Sequence, residues 1–131
     1  DITYNREEKT ATGFKPTGVD YPNNALWWNY RAREEGEYRV FVEYISDSES
    51  AGGTMIFDLE VSEGNVEIDD KHKYLNKHME CPVADSQNKL QVQEVGIIEL
   101  APGVNFRYKL KMDESGKSAN VRVKGLIINK I

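Results

Sequence analysis

The pattern that most constrains this chain is a repeated alternation of apolar and polar side chains along short segments. Between residues 26 and 32 every second side chain is apolar, and the intervening positions hold Trp27, Asn29 and Arg31. Alternation with a period of two places one set of side chains on each face of a β-strand. The same period recurs at five further sets of apolar positions: Tyr38, Val40, Val42 and Tyr44; Met55, Phe57, Leu59 and Val61; Ile98 and Leu100; Phe106, Tyr108, Leu110 and Met112; Val121, Val123, Leu126 and Ile128.

Turn residues separate these segments, and little in the sequence favours a helix. The segments 34–36 and 101–103 read Glu-Glu-Gly and Ala-Pro-Gly, which are typical of turns between strands. In the last apolar series the register shifts at Lys124-Gly125, where a β-bulge would restore the apolar face. The stretch Lys71–Met79 is the one place where we expect a short turn of helix, within a charged connecting loop over Asp69–Glu80.

Strands with one apolar and one polar face are what two sheets packed against each other require. The chain of 131 residues shows no composition shift or linker, so we expect one domain over residues 1–131. The predicted fold is all-β, a two-sheet antiparallel β-sandwich. Its function is expected on the loops at one end or on an exposed sheet face.

Charge and hydropathy exclude several partners. The net charge is −5, whereas nucleic-acid binding requires a basic face, so no nucleic acid is expected. No apolar run approaches the ~20 residues of a membrane-spanning helix, so no membrane is expected. Cys81 is the only cysteine, which excludes a disulfide within the chain. Because the sequence opens at Asp1, we expect that a signal was removed or that the domain was excised from a larger multidomain protein.

Three segments resemble a known family of modules. They are WNYRAREEGEYRVFVEY at Trp28–Tyr44, VGIIELAPGVNFRYKLKM at Val95–Met112 and VRVKGLIINKI at Val121–Ile131. The first is similar to the hallmark hairpin of family-6-type and fucosidase-associated carbohydrate-binding modules, and the others resemble their later hairpin and closing strand. The resemblance implies a jelly-roll of the galactose-binding-domain-like type.

The resemblance also implies a function and a setting. Such modules are non-catalytic accessory domains of secreted or periplasmic bacterial enzymes that degrade glycans, either glycoside hydrolases or sulfatases. The implied partners are a polysaccharide or oligosaccharide and a neighbouring catalytic domain in the same chain. Some members hold a structural calcium near the N-terminus, where this chain has Glu7 and Glu8. No oxygen-rich loop with ligand spacing is evident there, so no cofactor is predicted.

In the family, sugar lies in a cleft formed by loops at one end, stacked on an aromatic ring and bonded to an Asn near the start of the last strand. The family's stacking loop corresponds to Asp85–Gln91, which holds Asn88 and Lys89 but no ring. Trp27 and Tyr21 are instead the predicted platforms for weak glycan recognition. The predicted polar partners are Asn24, Asn88, Asn120 and Arg122.

Three of these candidates have a structural alternative. Trp27 would carry no function if the N-terminal segment or a loop covered it, since large aromatic side chains are mostly buried. Tyr21 equally suits local packing in a turn. Asparagine is above all a turn former, which is the alternative for Asn24.

Metal binding and catalysis are disfavoured. The spacing of His72, His78 and Cys81 offers three ligand types without the closely paired ligands of a structural zinc site. Glycosidase chemistry needs two carboxylates across a cleft, whereas Asp58 and Glu60 fall on outward strand positions. Two rival functions remain open, which are a structural module packed against a catalytic domain and adhesion to protein through an exposed sheet.

Overall fold

The structure is a computed structural model, and it describes residues 2–14, 25–61 and 75–131. Within these ranges the regular elements are nine strands, and no helix long and apolar enough to span a membrane is found among them. The strands are β1 (Thr3–Asn5), β2 (Thr10–Thr12), β3 (Ala25–Arg31), β4 (Gly36–Ile45), β5 (Thr54–Val61), β6 (Lys77–Pro82), β7 (Leu90–Leu100), β8 (Asn105–Met112) and β9 (Arg122–Lys130).

The strands form two antiparallel sheets. One sheet has five strands in the order β1-β2-β9-β4-β7, and the other has four in the order β3-β8-β5-β6. From β3 onward the chain passes repeatedly between the sheets, so most hydrogen-bonded neighbours are distant in sequence, as in a jelly-roll. The predicted two-sheet antiparallel sandwich is confirmed.

The core lies between the sheets, where the alternating apolar positions meet. Val40, Val42 and Tyr44 of β4 are completely buried, as are Phe57 of β5 and Phe106 of β8. Their neighbours in sequence point outward, which gives β4 its regular in-and-out pattern of burial. Burial of each large apolar side chain stabilises the fold by about 1.5–3 kcal/mol. The apolar face of each strand therefore packs inward, and the opposite face meets solvent.

The bulge predicted in the last strand is confirmed at Lys124. Along the β4–β9 ladder Glu43 pairs with Gly125 but the next residue, Tyr44, pairs with Val123. Lys124 is therefore the extra residue, and it allows both Val123 and the half-buried Leu126 to pack on the core.

The prediction of a helical turn at Lys71–Met79 is wrong for residues 75–79, which the structure describes. The prediction of a connecting loop that extends to Glu80 is also wrong. Residues 77–82 form strand β6, in which Met79 and Cys81 point into the core while His78 and Glu80 point outward. Only two apolar residues, Met79 and Cys81, carry this alternation. A pattern of two residues is too short to identify a strand within a segment that is otherwise charged. Residues 71–74 lie outside the described ranges.

The loops that follow β4, β6 and β8 lie at one end of the sandwich. Ile45, the last residue of β4, pairs with both Leu90 and Arg122, the first residues of β7 and β9. Two serines join the first two of these loops, because Ser46 N–H donates to Ser86 Oγ at 2.8 Å and Ser86 N–H donates to Ser46 Oγ at 2.9 Å.

Gly53 packs directly against the third of these loops. A Cβ atom at this position would lie 1.8 Å from Ser118 Oγ and 3.0 Å from Ser118 Cβ. Ser118 is completely buried, so it has little freedom to withdraw. Close packing at this point joins the β4–β5 loop to the β8–β9 loop.

We expect Gly53→Ala to lower the free energy of unfolding by about 1–3 kcal/mol, because overpacking forces backbone or rotamer shifts. Gly125→Ala is the matched control, since a Cβ there meets no atom within 4 Å, and it should change stability by less than about 0.5 kcal/mol. Urea unfolding of both variants measures the difference. Equal stabilities would contradict the close approach of Gly53 and Ser118.

Candidate functional site

The outward side of the four-stranded sheet carries an aromatic ring, an imidazole and several charged side chains close together. Register places them side by side, because Trp27 pairs with Lys109, and Asp58 pairs with both Lys109 and His78. We call this surface the tryptophan face and define it by Trp27 and Asn29 of β3, Arg107 and Lys109 of β8, Asp58 and Glu60 of β5, and His78 and Glu80 of β6.

Trp27 retains solvent contact on this face, with 37% of its surface exposed. Its neighbour Trp28 is half-buried and packs against the core, as the alternation predicts. Two cations flank the Trp27 ring, with Arg107 Cζ 4.6 Å and Lys109 Nζ 5.5 Å from its centroid. Both distances are in the range of cation–π attraction, which holds the indole in a defined orientation.

The two cations are themselves paired with carboxylates on the next strand. Arg107 donates from Nε to Glu60 Oε1 at 2.9 Å and from Nη2 to the same oxygen at 2.5 Å. Lys109 Nζ lies 3.7 Å from Asp58 Oδ2, and the lysine side chain is only 8% exposed. The carboxylates Asp58 and Glu60 do lie on outward positions as predicted, but each is engaged with a basic side chain rather than simply hydrated.

His78 extends this row of charges to the far edge of the sheet. Its Nδ1 lies 2.5 Å from Asp58 Oδ1 and its Nε2 lies 3.5 Å from Glu80 Oε1. The hydrogen bond to Asp58 is the main reason that the pKa of His78 is raised above its usual value near 6.5. Desolvation opposes the shift, and Glu80 adds to it.

The tryptophan face therefore combines a flat aromatic ring with hydrogen-bond donors and acceptors at fixed positions. Strands about 4.8 Å apart carry Trp27, Lys109, Asp58 and His78 in successive register positions, so the row spans about 14 Å. The apolar C–H side of a sugar ring can pack on the exposed part of the indole. Its hydroxyl groups can then bond to the neighbouring amide, ammonium, guanidinium and carboxylate groups.

Three other predicted site residues belong to the described ranges, and they lie away from the tryptophan face. Asn88 is exposed in the β6–β7 loop, with φ of 61° and its N–H bonded to Ser46 O at 2.8 Å. Asn120 is exposed in the β8–β9 loop. Arg122 alternates with the buried Val121 and Val123, so it points outward from the five-stranded sheet. There its Nη1 bonds to Glu8 Oε2 at 2.8 Å.

The structure thus does not join Trp27 and Arg122 in one set of contacts, because they belong to the outer faces of different sheets. Asn88 adopts the left-handed conformation that asparagine tolerates in turns, which indicates a structural role for it at this position. Tyr21 and Asn24 lie outside the described residues, and their proposed roles stay predictions.

A zinc site built on His78 and Cys81 is not supported. Strand β6 places His78 outward and Cys81 inward, so one ion cannot bind both. Burial also raises the pKa of the Cys81 thiol and so disfavours the thiolate that binds metal. No group of three or more potential ligands lies together in the ranges 2–14, 25–61 and 75–131, and His72 is outside them.

Sequence reasoning missed Arg107 and Lys109 as neighbours of Trp27, and it missed His78 as a member of the same face. The alternation of β8 does place Arg107 and Lys109 on its polar face. Alternation cannot show that β8 pairs with β3, because the two strands are about 80 residues apart in sequence. It also cannot show that β8 lies between β3 and β5 in the sheet.

No known sequence family and no curated protein matches the chain. Several solved structures do match in fold. The isomalto-dextranase of Arthrobacter globiformis T6, solved with panose, shares 14% identity at a TM-score of 0.58 over 97% of this chain and 20% of its own. A CBM35 module of Cellvibrio japonicus Abf62 shares 11% identity at a TM-score of 0.51, covering 99% of this chain and 88% of its own.

A third match is Xyl-CBM35 in complex with a glucuronic acid-containing disaccharide, with 17% identity, a TM-score of 0.52, and coverage of 98% of this chain and 81% of its own. The chain has the β-sandwich fold of carbohydrate-binding modules. Identities of this size establish the fold alone. The chain covers 20% of the isomalto-dextranase, but most of each CBM35 chain.

We expect Asp58→Asn to lower the pKa of His78 towards its ordinary value, because the amide removes the negative charge that stabilises the imidazolium. Glu80→Gln should have a smaller effect, since its oxygen is 3.5 Å from the ring rather than 2.5 Å. An NMR titration of the His78 ring protons measures each pKa. Equal shifts in both variants would contradict the described geometry.

The same interaction predicts how stability depends on pH. Because the folded-state pKa of His78 is raised, its contribution is fully present below the unfolded-state value near 6.5 and is lost as pH rises through the folded-state value. Between these two pH values, wild type should lose stability relative to His78→Gln as pH increases. Thermal unfolding at a series of pH values tests this, and a constant difference between the two proteins would contradict it.

Proposed function

We propose that this chain is a non-catalytic carbohydrate-binding module that holds a glycan against its tryptophan face. The observation that carries the proposal is Trp27, an indole 37% exposed on a rigid sheet and bordered by Arg107 and Lys109. An exposed aromatic side chain on a strand is more precisely positioned than one on a loop, and fixed donors beside it supply orientation.

Two features of the comparisons support a glycan as the ligand. Xyl-CBM35, of which the match covers 81%, was solved with a disaccharide, so the fold is compatible with recognition of short saccharides. The fold also occurs both as a small part of a glycan-active enzyme and as a module that forms most of its own chain.

The proposal includes a setting. The module would be an accessory part of a longer, secreted or periplasmic enzyme that degrades glycans, either a glycoside hydrolase or a sulfatase. Its role would be to keep the catalytic domain near its polysaccharide. An open sheet face encloses little of a ligand, so the affinity of a single site should be weak.

We expect Trp27→Ala to weaken glycan binding about fivefold or more, because truncating an aromatic residue at the centre of a contact costs about 1 kcal/mol or more. Affinity electrophoresis of the isolated module through gels containing soluble polysaccharides measures this as loss of retardation. Because the sugar is not identified, the gels are prepared with a panel of neutral and acidic polysaccharides.

Tyr4→Ala is the matched control, since Tyr4 is 60% exposed on β1 of the other sheet. It should leave retardation unchanged. Retention of full binding by Trp27→Ala, with both variants shown to be folded, would contradict the proposed site.

A second candidate function is a structural module that packs against a catalytic domain and binds no glycan. It is favoured by apolar side chains on the outer face of the five-stranded sheet, where Leu90, Val92 and Ile97 of β7 are 46%, 51% and 37% exposed. Strand β7 is also an edge of that sheet. If wild type is not retarded by any polysaccharide, this function is the better account.

A further inference from the structure

An open cavity lies on the tryptophan face, on the side of Lys109 that is remote from Trp27. Its volume is about 460 Å³. Polar side chains dominate its lining, which includes Asp58, Glu60, Asn76, Lys77, His78 and Lys109. Trp27 does not line this cavity, so the proposed contact between a sugar and the indole leaves it unfilled.

His78 presents one ring nitrogen to solvent at the wall of the cavity. Its Nδ1 is engaged by Asp58 Oδ1 at 2.5 Å. Its Nε2 lies 3.5 Å from Glu80 Oε1, which is longer than the usual N–H···O distance of about 2.9 Å. The His78 side chain is 57% exposed. A ligand can therefore bond to Nε2 without breaking a strong hydrogen bond within the protein.

Asn76 contributes an amide of fixed orientation to the same cavity. Its Oδ1 accepts a hydrogen bond from the Val61 N–H at 2.8 Å. That bond uses the carbonyl half of the amide, and the NH₂ half has two hydrogen atoms to donate. Together with the carboxylates of Asp58 and Glu60, the lining offers both donors and acceptors. Hydroxyl groups match such a mixture because each of them can donate and accept.

The charges around the cavity favour an uncharged ligand. Asp58 Oδ2 lies 3.7 Å from Lys109 Nζ, and Glu60 Oε1 accepts from Arg107 Nε at 2.9 Å. A carboxylate of a ligand would lie close to Asp58 and Glu60 and would compete with them for the same cations. Like charges placed together in this way weaken binding. A hydroxyl group can instead accept from a cation and donate to the neighbouring carboxylate.

Lys109 joins the cavity to the indole, which identifies what fills the cavity. Its Nζ lies 5.5 Å from the centroid of the Trp27 ring, and the same residue lines the cavity. Trp27 and His78 are three strand spacings apart, or about 14 Å. One pyranose ring does not span this distance, whereas consecutive rings of an oligosaccharide do. The occupant is therefore a further part of the glycan that stacks on Trp27.

We propose that the cavity is a second subsite of the tryptophan face, which binds an uncharged oligosaccharide with one ring on Trp27 and a later ring beside Asp58, Asn76 and His78. This inference rests on the proposed glycan-binding function. It adds the minimum length of the ligand, its charge class and a binding role for His78.

The dependence of affinity on chain length tests the subsite. The uncharged probes are xylose, glucose, mannose and galactose, each with its di-, tri- and tetrasaccharides, and oligogalacturonates of the same lengths are the charged probes. NMR titration of the isotope-labelled protein measures each affinity. In the uncharged series that binds, monosaccharides should shift the Trp27 indole alone, and longer probes should also shift the His78 ring. Longer probes should bind at least about fivefold more tightly, which is equivalent to one net hydrogen bond.

His78→Ala should remove this gain, so that the tetrasaccharide binds about as weakly as the monosaccharide, whose affinity stays unchanged. Trp27→Ala should weaken binding at every length. Arg39→Ala is the matched control, since the Arg39 side chain is 49% exposed on the other sheet. It should leave the whole series unchanged.

The outcomes separate the subsite from the function on which it rests. Equal affinity at all lengths, or a gain that survives in folded His78→Ala, would overturn the subsite and leave glycan binding standing. Tighter binding of oligogalacturonates than of every uncharged series would also overturn the inference alone. If wild type binds neither kind of probe, the proposed function fails together with the subsite. The chain-length effect and the His78 shifts are measured on wild type, so a variant that misfolds does not prevent the test.

Discussion

Burial of the inner faces of the two sheets is the constraint on which the other features of this structure depend. Val40, Val42, Tyr44, Phe57 and Phe106 exclude water between the sheets, and none of them can change sides without exposing a whole strand face. The register of β3 follows from this, with Trp28 inward and Trp27 outward. A shift of one residue would bury the indole proposed to bind glycan and expose the one that packs on the core.

The same constraint brings together charges that lie far apart in sequence. Strand β8 pairs with β3 on one side and β5 on the other, so Lys109 lies between Trp27 and Asp58. Lys109 is only 8% exposed at its side chain, and an isolated ammonium would pay a large desolvation cost there. The nearby Asp58 carboxylate and Trp27 ring offset that cost, and the same contacts limit the motion of the indole.

Much of the fold was predictable from the sequence, because alternation is a local signal. It located the inward residues of β3, β4, β5, β8 and β9 and the bulge at Lys124. It failed at β6, where only Met79 and Cys81 mark the inner face, and it did not indicate the three-residue strands β1 and β2. The extent of the domain over residues 1–131 and its galactose-binding-like classification stay predictions.

The candidate site was less predictable, since it depends on which strands are neighbours. Trp27 was identifiable as an outward aromatic residue, but Arg107 and His78 join it only through the β3-β8-β5-β6 order. Asn88, Asn120 and Arg122 were chosen by resemblance to loops of known modules. The structure places Arg122 beside Glu8 on the five-stranded sheet. Alternation with Val121 and Val123 shows that Arg122 points outward, but it does not show which of the two sheets the strand belongs to.

The most direct test of the tryptophan face is an NMR titration of the isotope-labelled protein with oligosaccharides from whichever polysaccharide retards it in affinity electrophoresis. The chain has two tryptophans, so each indole N–H gives its own resonance, and Trp28 is an internal reference for Trp27. A saturable shift of the Trp27 indole, with backbone shifts along β3 and β8, is the result this account predicts. Shifts confined to the loops that carry Asn88 and Asn120 would contradict it.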